Sequence, residues 1–236
     1  MDYILQNLEV FNEEPINGDI SIPTTEEIKR RASANFATQG RAVTLQDYIS
    51  ATYAMPTNFG AVKRAAIYRD DNDLTRNMNM FIISEDSNGY LETSSTALKE
   101  NLKTWINSIK MVNDSVDIMD AIIINIGIEF EVVGKKDVNS STVFNMAKEE
   151  IYEQLPEIKP EIGEPFQLTE VFKILKEVDE VLDVVSVKVV PKIGSNYNGI
   201  DFQTEEYLSS DGRTLYFPEH AIWEIKFKSD IVGTVR

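Results

Sequence analysis

Residues 118–132 read IMDAIIINIGIEFEV. The even positions Ile122, Ile124, Ile126, Ile128, Phe130 and Val132 are all apolar, while the odd ones pass from Ile123 through Asn125 to Glu129 and Glu131. Period-two alternation marks a strand, and a second face that turns from apolar to acidic marks one buried on both sides early and on one side later. The stretch therefore predicts a long central strand, Ile118 to Val132. Asn125 and Gly127 interrupt its apolar run, which stays far below the roughly 20 residues of a membrane-spanning helix. The chain reads as soluble.

The elements on either side are those a central strand needs as cover. Upstream, Ser95 can cap a helix with apolar residues at Leu98, Leu102, Trp105, Ile106 and Ile109, one stripe facing a sheet. Downstream, Ser141 opens a helix carrying Phe144, Ala147, Ile151 and Leu155, which Pro156 helps to end, and a Pro-rich connector runs from Glu157 to Pro165. Thr169 to about Val181 is a further amphipathic helix, with Val171, Ile174, Leu175 and Val178 inward, feeding the β-branched strand Val184 to Val190. Asn198-Gly199 and Asp211-Gly212 are turn signals, and Trp223, Ile225 and Phe227 alternate with Glu224, Lys226 and Lys228.

Nearer the N-terminus, Thr24 with Glu27 forms a capping box before a helix with Ile28, Ala32 and Phe36 on one face. Thr44 with Asp47 repeats that logic for a helix through about Ala54, since the residue before Pro56 avoids helical geometry. Gly60 then turns the chain into strands Val62 to Arg69 and Met78 to Ser84, separated by the polar loop Asp70 to Asn77, with a tight turn at Asn88-Gly89. A small antiparallel meander is expected there.

The fold class is α+β: two small α/β units of split βαβ type, with helices packed on mixed or antiparallel sheets, plus a β-rich C-terminal segment. We divide the chain into an N-terminal extension, 1–25, a first unit, 26–113, a second, 114–192, and a β-rich appendage, 193–236. The chain ends soon after a strand-like run, as though cut from something longer.

Thirty-nine acidic against twenty-three basic residues leave a net charge of −16, so the field of the whole chain opposes nucleic acid and anionic lipid. There is no cysteine, which removes thiol nucleophiles, thiolate metal sites and disulfides and fits a reducing compartment. The N-terminus lacks the basic and apolar regions of a secretory signal. His220 is the only imidazole, so no histidine triad or two-histidine metal site can form within the chain, and a structural or solvated role is expected for it. Asp70, Asp71 and Asp73 imitate a calcium loop, but the sixth position is Arg76 and the twelfth Ile82 where glycine and glutamate are needed. Glu129 and Glu131 share a strand face, as chance alone provides among so many acids. No nucleotide-binding glycine motif and no nucleophile elbow occurs. Catalytic, cofactor and metal residues are all expected to be absent.

Charge is segregated. From Lys29 to Arg69 seven basic residues (Lys29, Arg30, Arg31, Arg41, Lys63, Arg64, Arg69) face one acid, Asp47, a local +6; from Glu149 to Asp183 eleven acids face three lysines, a local −8. A basic segment of one copy meeting the acidic segment of a neighbour would make a heterologous contact, the kind that builds rings. Candidate interface residues are Lys29, Arg30, Arg31, Arg41, Arg64, Glu149, Glu150 and Glu153, with the aromatics Phe36, Tyr53, Phe59, Tyr197 and Tyr207 outside the periodic stripes.

Three stretches in order cover most of residues 35 to 190: Arg41 to Tyr48 (RAVTLQDY) followed by Gly60 and the strand Val62 to Ile67; Leu98 to Ile109 followed by Val116 to Val132; and Val171 to Val189. Together they resemble the baseplate J-like family of contractile-tailed phages, in the C-terminal half of its wedge proteins. The resemblance implies a structural part of a virion with no catalytic residues. Wedge proteins of this family dimerise and join into a ring around the baseplate hub, which couples host-recognition signals to sheath contraction. Implied partners are a second copy and other wedge proteins, with no nucleic acid, membrane or small-molecule substrate, in the tail baseplate after assembly in host cytoplasm. An alternative from another class is a tail-associated glycan-binding or glycan-processing protein, carried by the carboxylates and by Trp105, Trp223 and Tyr197.

Overall fold

The computed structural model describes residues 23–69, 77–155 and 160–236. The chain divides into two compact units, Met1–Asp120 and Ala121–Arg236, each α+β with its own sheet and core.

The first unit opens with α1 (Thr25–Thr38), where Thr24 and Glu27 form the expected reciprocal cap, and α2 (Leu45–Tyr53), capped in the same way by Thr44 and Asp47. Strand β1 (Arg64–Arg69) lies antiparallel to β2 (Asn77–Glu85), and the short β3 (Leu91–Glu92) folds back on the end of β2. Helix α3 (Thr96–Ile109) crosses over to β4 (Ser115–Asp120), which pairs with β2 in parallel, Asn77 opposite Ser115 through Ile82 opposite Asp120. The sheet is thus mixed rather than a pure meander, because the crossover helix returns the chain in the direction of β2. Leu98, Leu102 and Ile106 on α3 are essentially inaccessible and meet Tyr48 and Ala51 of α2 over Ala65, Ile67, Met78, Met80 and Ile82 of the sheet. The loop Asp70 to Arg76 lies outside the described residues.

The stretch 118–132 is two strands, not one. β4 ends at Asp120, and β5 (Ile122–Gly134) starts the other sheet after Ala121. Apolar alternation runs through both, so composition alone does not mark the break. It is made by Asp120, whose carboxylate accepts from the Ser94 N–H at 3.1 Å and pairs with Lys99 at 2.5 Å, while Ile122 N–H turns to His220 O at 2.9 Å.

β5 is the centre of the second unit. Helix α4 (Ser140–Gln154), the two-residue strand β6 (Phe166–Gln167) and α5 (Leu168–Glu177) precede β7 (Val181–Pro191), which runs antiparallel along one edge of β5 with register shifts near Val132 and Gly134. The cap of α4 is Asn139, whose side chain accepts from Ser141 N–H, two positions before the serine expected to open it. The short helix α6 (Thr204–Tyr207) and β8 (Thr214–Leu215, paired with β6) lead to β9 (Ala221–Glu224) and β10 (Ile231–Val235). These two lie end to end along the other edge of β5, both parallel to it, Ala221 opposite Ile122 and Ile231 opposite Ile128.

Residues 193–236 therefore supply one side of the central strand. They also explain its double burial. The even side chains of β5 meet Val143, Ala147 and Ile151 of α4 and Val171, Ile174 and Leu175 of α5. On the odd side Ile123 and Asn125 are buried too, with Asn125 Oδ1 accepting from Asn198 N–H and its carbonyl from Lys192 N–H. Beyond Gly127 that cover ends and Glu129 is exposed.

Candidate interaction surface

In the first unit, the basic segment is organised around Glu27. One of its carboxylate oxygens accepts from the Thr24 N–H at 2.9 Å and closes the cap of α1; the other meets the Arg64 guanidinium at 2.9 Å. One turn along α1, Arg31 lies flat over the Tyr53 ring, 4.1 Å from its centre, a cation–π contact. Tyr53 in turn uses its hydroxyl to accept the Ala65 N–H at 3.0 Å, taking a donor from the edge strand β1. Lys63 forms a buried ion pair with Glu85. Between these groups is a cleft of about 220 Å³ lined by Glu27, Arg31, Tyr53, Met55, Lys63 and Arg64 among others. The Nε–H of Arg31 is buried there with no hydrogen-bond acceptor among the described residues.

The seven basic residues thus separate into two kinds. Lys63 and Arg64 are 7% and 3% exposed, so Arg64, expected at the surface, is instead held inside by Glu27. Lys29, Arg30 and Arg41 are exposed, Arg41 beyond the left-handed turn Gln39-Gly40 that ends α1. Phe36 is 87% exposed and Ile28 50%, so the apolar stripe of α1 faces outward; no residue of the helix is buried, and it is tied down through Glu27 and Arg31 instead. Phe59, on a short 3-10 turn, is 46% exposed.

The acidic stretch of the second unit stands at its surface. Glu149 pairs with Lys228, Glu150 accepts from Gln154 at 2.6 Å, and Glu153 is exposed. On α5 and beyond, Glu177 pairs with Lys173 at 3.8 Å and Asp183 with Lys176 at 3.9 Å, contacts open to water that add little stability.

Of the remaining aromatics, Tyr197 donates to Asp230 at 2.5 Å and stacks edgewise on Phe227, and Tyr207 stacks on Phe202. Trp105 gives its indole N–H to Ala51 O at 2.8 Å, and Trp223 is 5% exposed, edge-on to Phe166. Sequence reading passed over exposed apolar side chains at Val43, Met111 and Val112, where the Ala42–Lys110 bridge brings two loops together, and at Leu182 and Val185 on β7. The one signal they carried was falling outside any periodic stripe.

Among the described residues no group of three acids or histidines is placed to hold a metal ion, and no helix is long and apolar enough to cross a membrane. Titration shifts trace to local structure. Desolvation acts to raise Asp47, but hydrogen bonds from Thr44 and Val43 outweigh it and hold its pKa low; Asp211 is lowered by its Ser209 hydrogen bond and then by Arg213 N–H. Burial, then a carboxylate partner, pushes Tyr48 and Tyr197 up to about 12. These four groups are caps, turns and packing contacts.

No known protein family matches the sequence, and neither does any curated protein. Among solved structures, the fold is similar to that of a chain in the 6-fold symmetrised cryo-EM structure of the anti-feeding prophage (AFP) baseplate, with a TM-score of 0.54 and 11% identity. The match covers 87% of this chain and 42% of that one, so the chain spans under half the length of its structural neighbour. The likeness is one of fold.

Proposed function

We propose that this chain is a structural subunit of a contractile-tail baseplate. The observation that carries the reading is the fold likeness to a baseplate chain, which extends over 87% of the residues and therefore takes in both units rather than one common motif. The finer reading is a wedge subunit that dimerises, joins other baseplate proteins in a ring around the central hub, and passes host-recognition signals to the sheath by changing shape. It acts in the virion tail after assembly in host cytoplasm, and does no chemistry of its own.

Two features support the ring. The neighbouring structure was symmetrised six-fold, and a cyclic assembly needs two different surfaces on each subunit. This chain offers unlike surfaces, exposed cations with Phe36 on α1 and exposed acids on α4. Such interfaces gain specificity from charge and affinity from apolar area.

The test is reconstitution. Full-length protein mixed with the other wedge proteins of its tail should enter ring-shaped particles visible by electron microscopy. A chain absent from every such particle overturns the reading. Assembly should also weaken as salt rises from about 0.05 to 0.5 M, because exposed charge pairs are screened over that range.

A further inference from the structure

We infer that the cleft of the first unit is a receptor for a carboxylate side chain, and that its occupant is an acidic residue on α4 of a second copy of this chain. This rests on the ring-forming reading above and assigns its contact.

The argument starts from Arg31. Its guanidinium is fixed on the Tyr53 ring, and its Nε–H is buried without an acceptor. A buried donor left unmade costs free energy, so a group that supplies an acceptor there gains more than a surface pair would. A guanidinium presents a planar fork that matches two carboxylate oxygens, and stacking on an aromatic ring leaves its edge open for that fork. The two neighbouring cations already have acids, Arg64 with Glu27 and Lys63 with Glu85, whereas Arg31 forms no ion pair among the described residues. At about 220 Å³ the cleft is below the range of roughly 300 Å³ and more that holds drug-sized ligands, and it suits one inserted side chain.

The choice of occupant follows from charge. Residues 149–183 carry half of the excess negative charge of the chain. Within them Glu149 and Glu153 are one turn apart on α4 and both exposed, and Glu149 pairs with the partly exposed Lys228. Cleft and acidic helix are different surfaces, so the contact is head-to-tail. Each contact uses one surface of each copy, which leaves the other free to continue a ring.

The experiment is a mixing test by sedimentation velocity on full-length protein. Wild type should associate with concentration into species larger than dimers. Arg31→Glu, and separately Glu149→Lys with Glu153→Lys, should each weaken association about tenfold or more, as like charges brought face to face do. An equimolar mixture of the two variants should recover association, because the intact cleft of one meets the intact acids of the other and, at the next junction, the two reversed surfaces are again of opposite charge. Should Arg31→Glu fail to fold, the wild type still gives an answer through the Nε–H resonance of Arg31 by nuclear magnetic resonance, which should shift with protein concentration.

If Arg31→Glu associates like wild type, or that resonance is indifferent to concentration, the cleft is not the contact while the ring reading stands. If only the α4 variant assembles normally, the assigned occupant is wrong. Wild-type protein that stays monomeric up to about 1 mM, the limit of a weak complex, overturns both the ring and the receptor.

Discussion

Gly233 stands opposite Phe130 in the β10–β5 pairing, and the ring of Phe130 lies over it. A Cβ at position 233 would fall 2.7 Å from Phe130 Cε1 and closer still to the next two ring atoms. Phe130 is 3% exposed and stacked on Phe144, so its ring has little room to retreat. Gly233→Ala should therefore destabilise the second unit by about 2 kcal/mol, the ordinary cost of overfilling a packed core. Denaturant unfolding checks it, and Phe130→Leu added to Gly233→Ala should recover part of the loss.

Two tyrosines, Tyr48 buried and Tyr197 half-buried, set an alkaline limit. Tyr48 donates to Asp114 at 2.8 Å in the first unit, and Tyr197 to Asp230 at 2.5 Å in the second. Both pKa values stand at about 12 in the fold against the ordinary 10.0. The folded chain thus keeps two protons that the unfolded chain has already released. Their contribution to stability is complete below pH 10 and is lost as pH climbs through about 12. Urea midpoints measured across that window should fall steeply for wild type, and less steeply for Tyr48→Phe or Tyr197→Phe. At neutral pH Tyr48→Phe should cost about 2 kcal/mol, because it removes the hydroxyl that donates to the buried Asp114 carboxylate and accepts from the Met111 N–H.

What could be read from the residues was whatever repeats with a period. The double burial of β5 followed from its alternation, the core stripe of α3 from its spacing, and the caps of α1 and α2 from two local pairs. What could not be read depends on partners distant in the chain. The break at Asp120 needs Lys99 and Ser94, and the place of residues 193–236 needs an open edge on β5. Lys63 and Arg64 look like Lys29 and Arg30 in composition; only Glu85 and Glu27, brought up by folding, make the first two internal. The Arg31 cleft had no local sign for the same reason, since its walls come from α1, the end of α2 and the approach to β1.

Helix α2 carries Tyr48 and Ala51 into the core, so its start matters more than its nine residues suggest. Thr44 Oγ1 accepts from Asp47 N–H at 3.2 Å, and the Asp47 carboxylate accepts from Thr44 N–H at 2.8 Å and Val43 N–H at 3.1 Å. Thr44→Ala should cost about 1 kcal/mol in the unfolding of the first unit. Because Asp47 titrates below its ordinary 3.8 in the fold, its contribution is present above that pH and vanishes as pH falls through the lower folded value. Acid unfolding of Asp47→Asn should accordingly begin from a lower stability at pH 7 and show a shallower decline below pH 4 than wild type. Equal slopes for the two proteins would count against the role given to this cap.

The last expectation concerns the place where one sheet hands the chain to the other. Asp120 closes β4 with both oxygens engaged, one by the Ser94 N–H and the other by Lys99, whose side chain is 27% exposed. Ser94 is itself buried and exchanges a 2.8 Å hydroxyl hydrogen bond with Ser84 at the end of β2, so its backbone donor has no ready access to water. Asp120→Ala leaves that donor unmet and Lys99 without its acid, and should destabilise the first unit by about 1–2 kcal/mol, with Ser94 amide exchange accelerated. Asp120→Asn keeps an acceptor for Ser94 and removes only the charge, so it should lose less than half as much and leave exchange at Ser94 near wild type. If the two substitutions cost the same, the ion pair with Lys99 rather than the backbone hydrogen bond holds the break between β4 and β5.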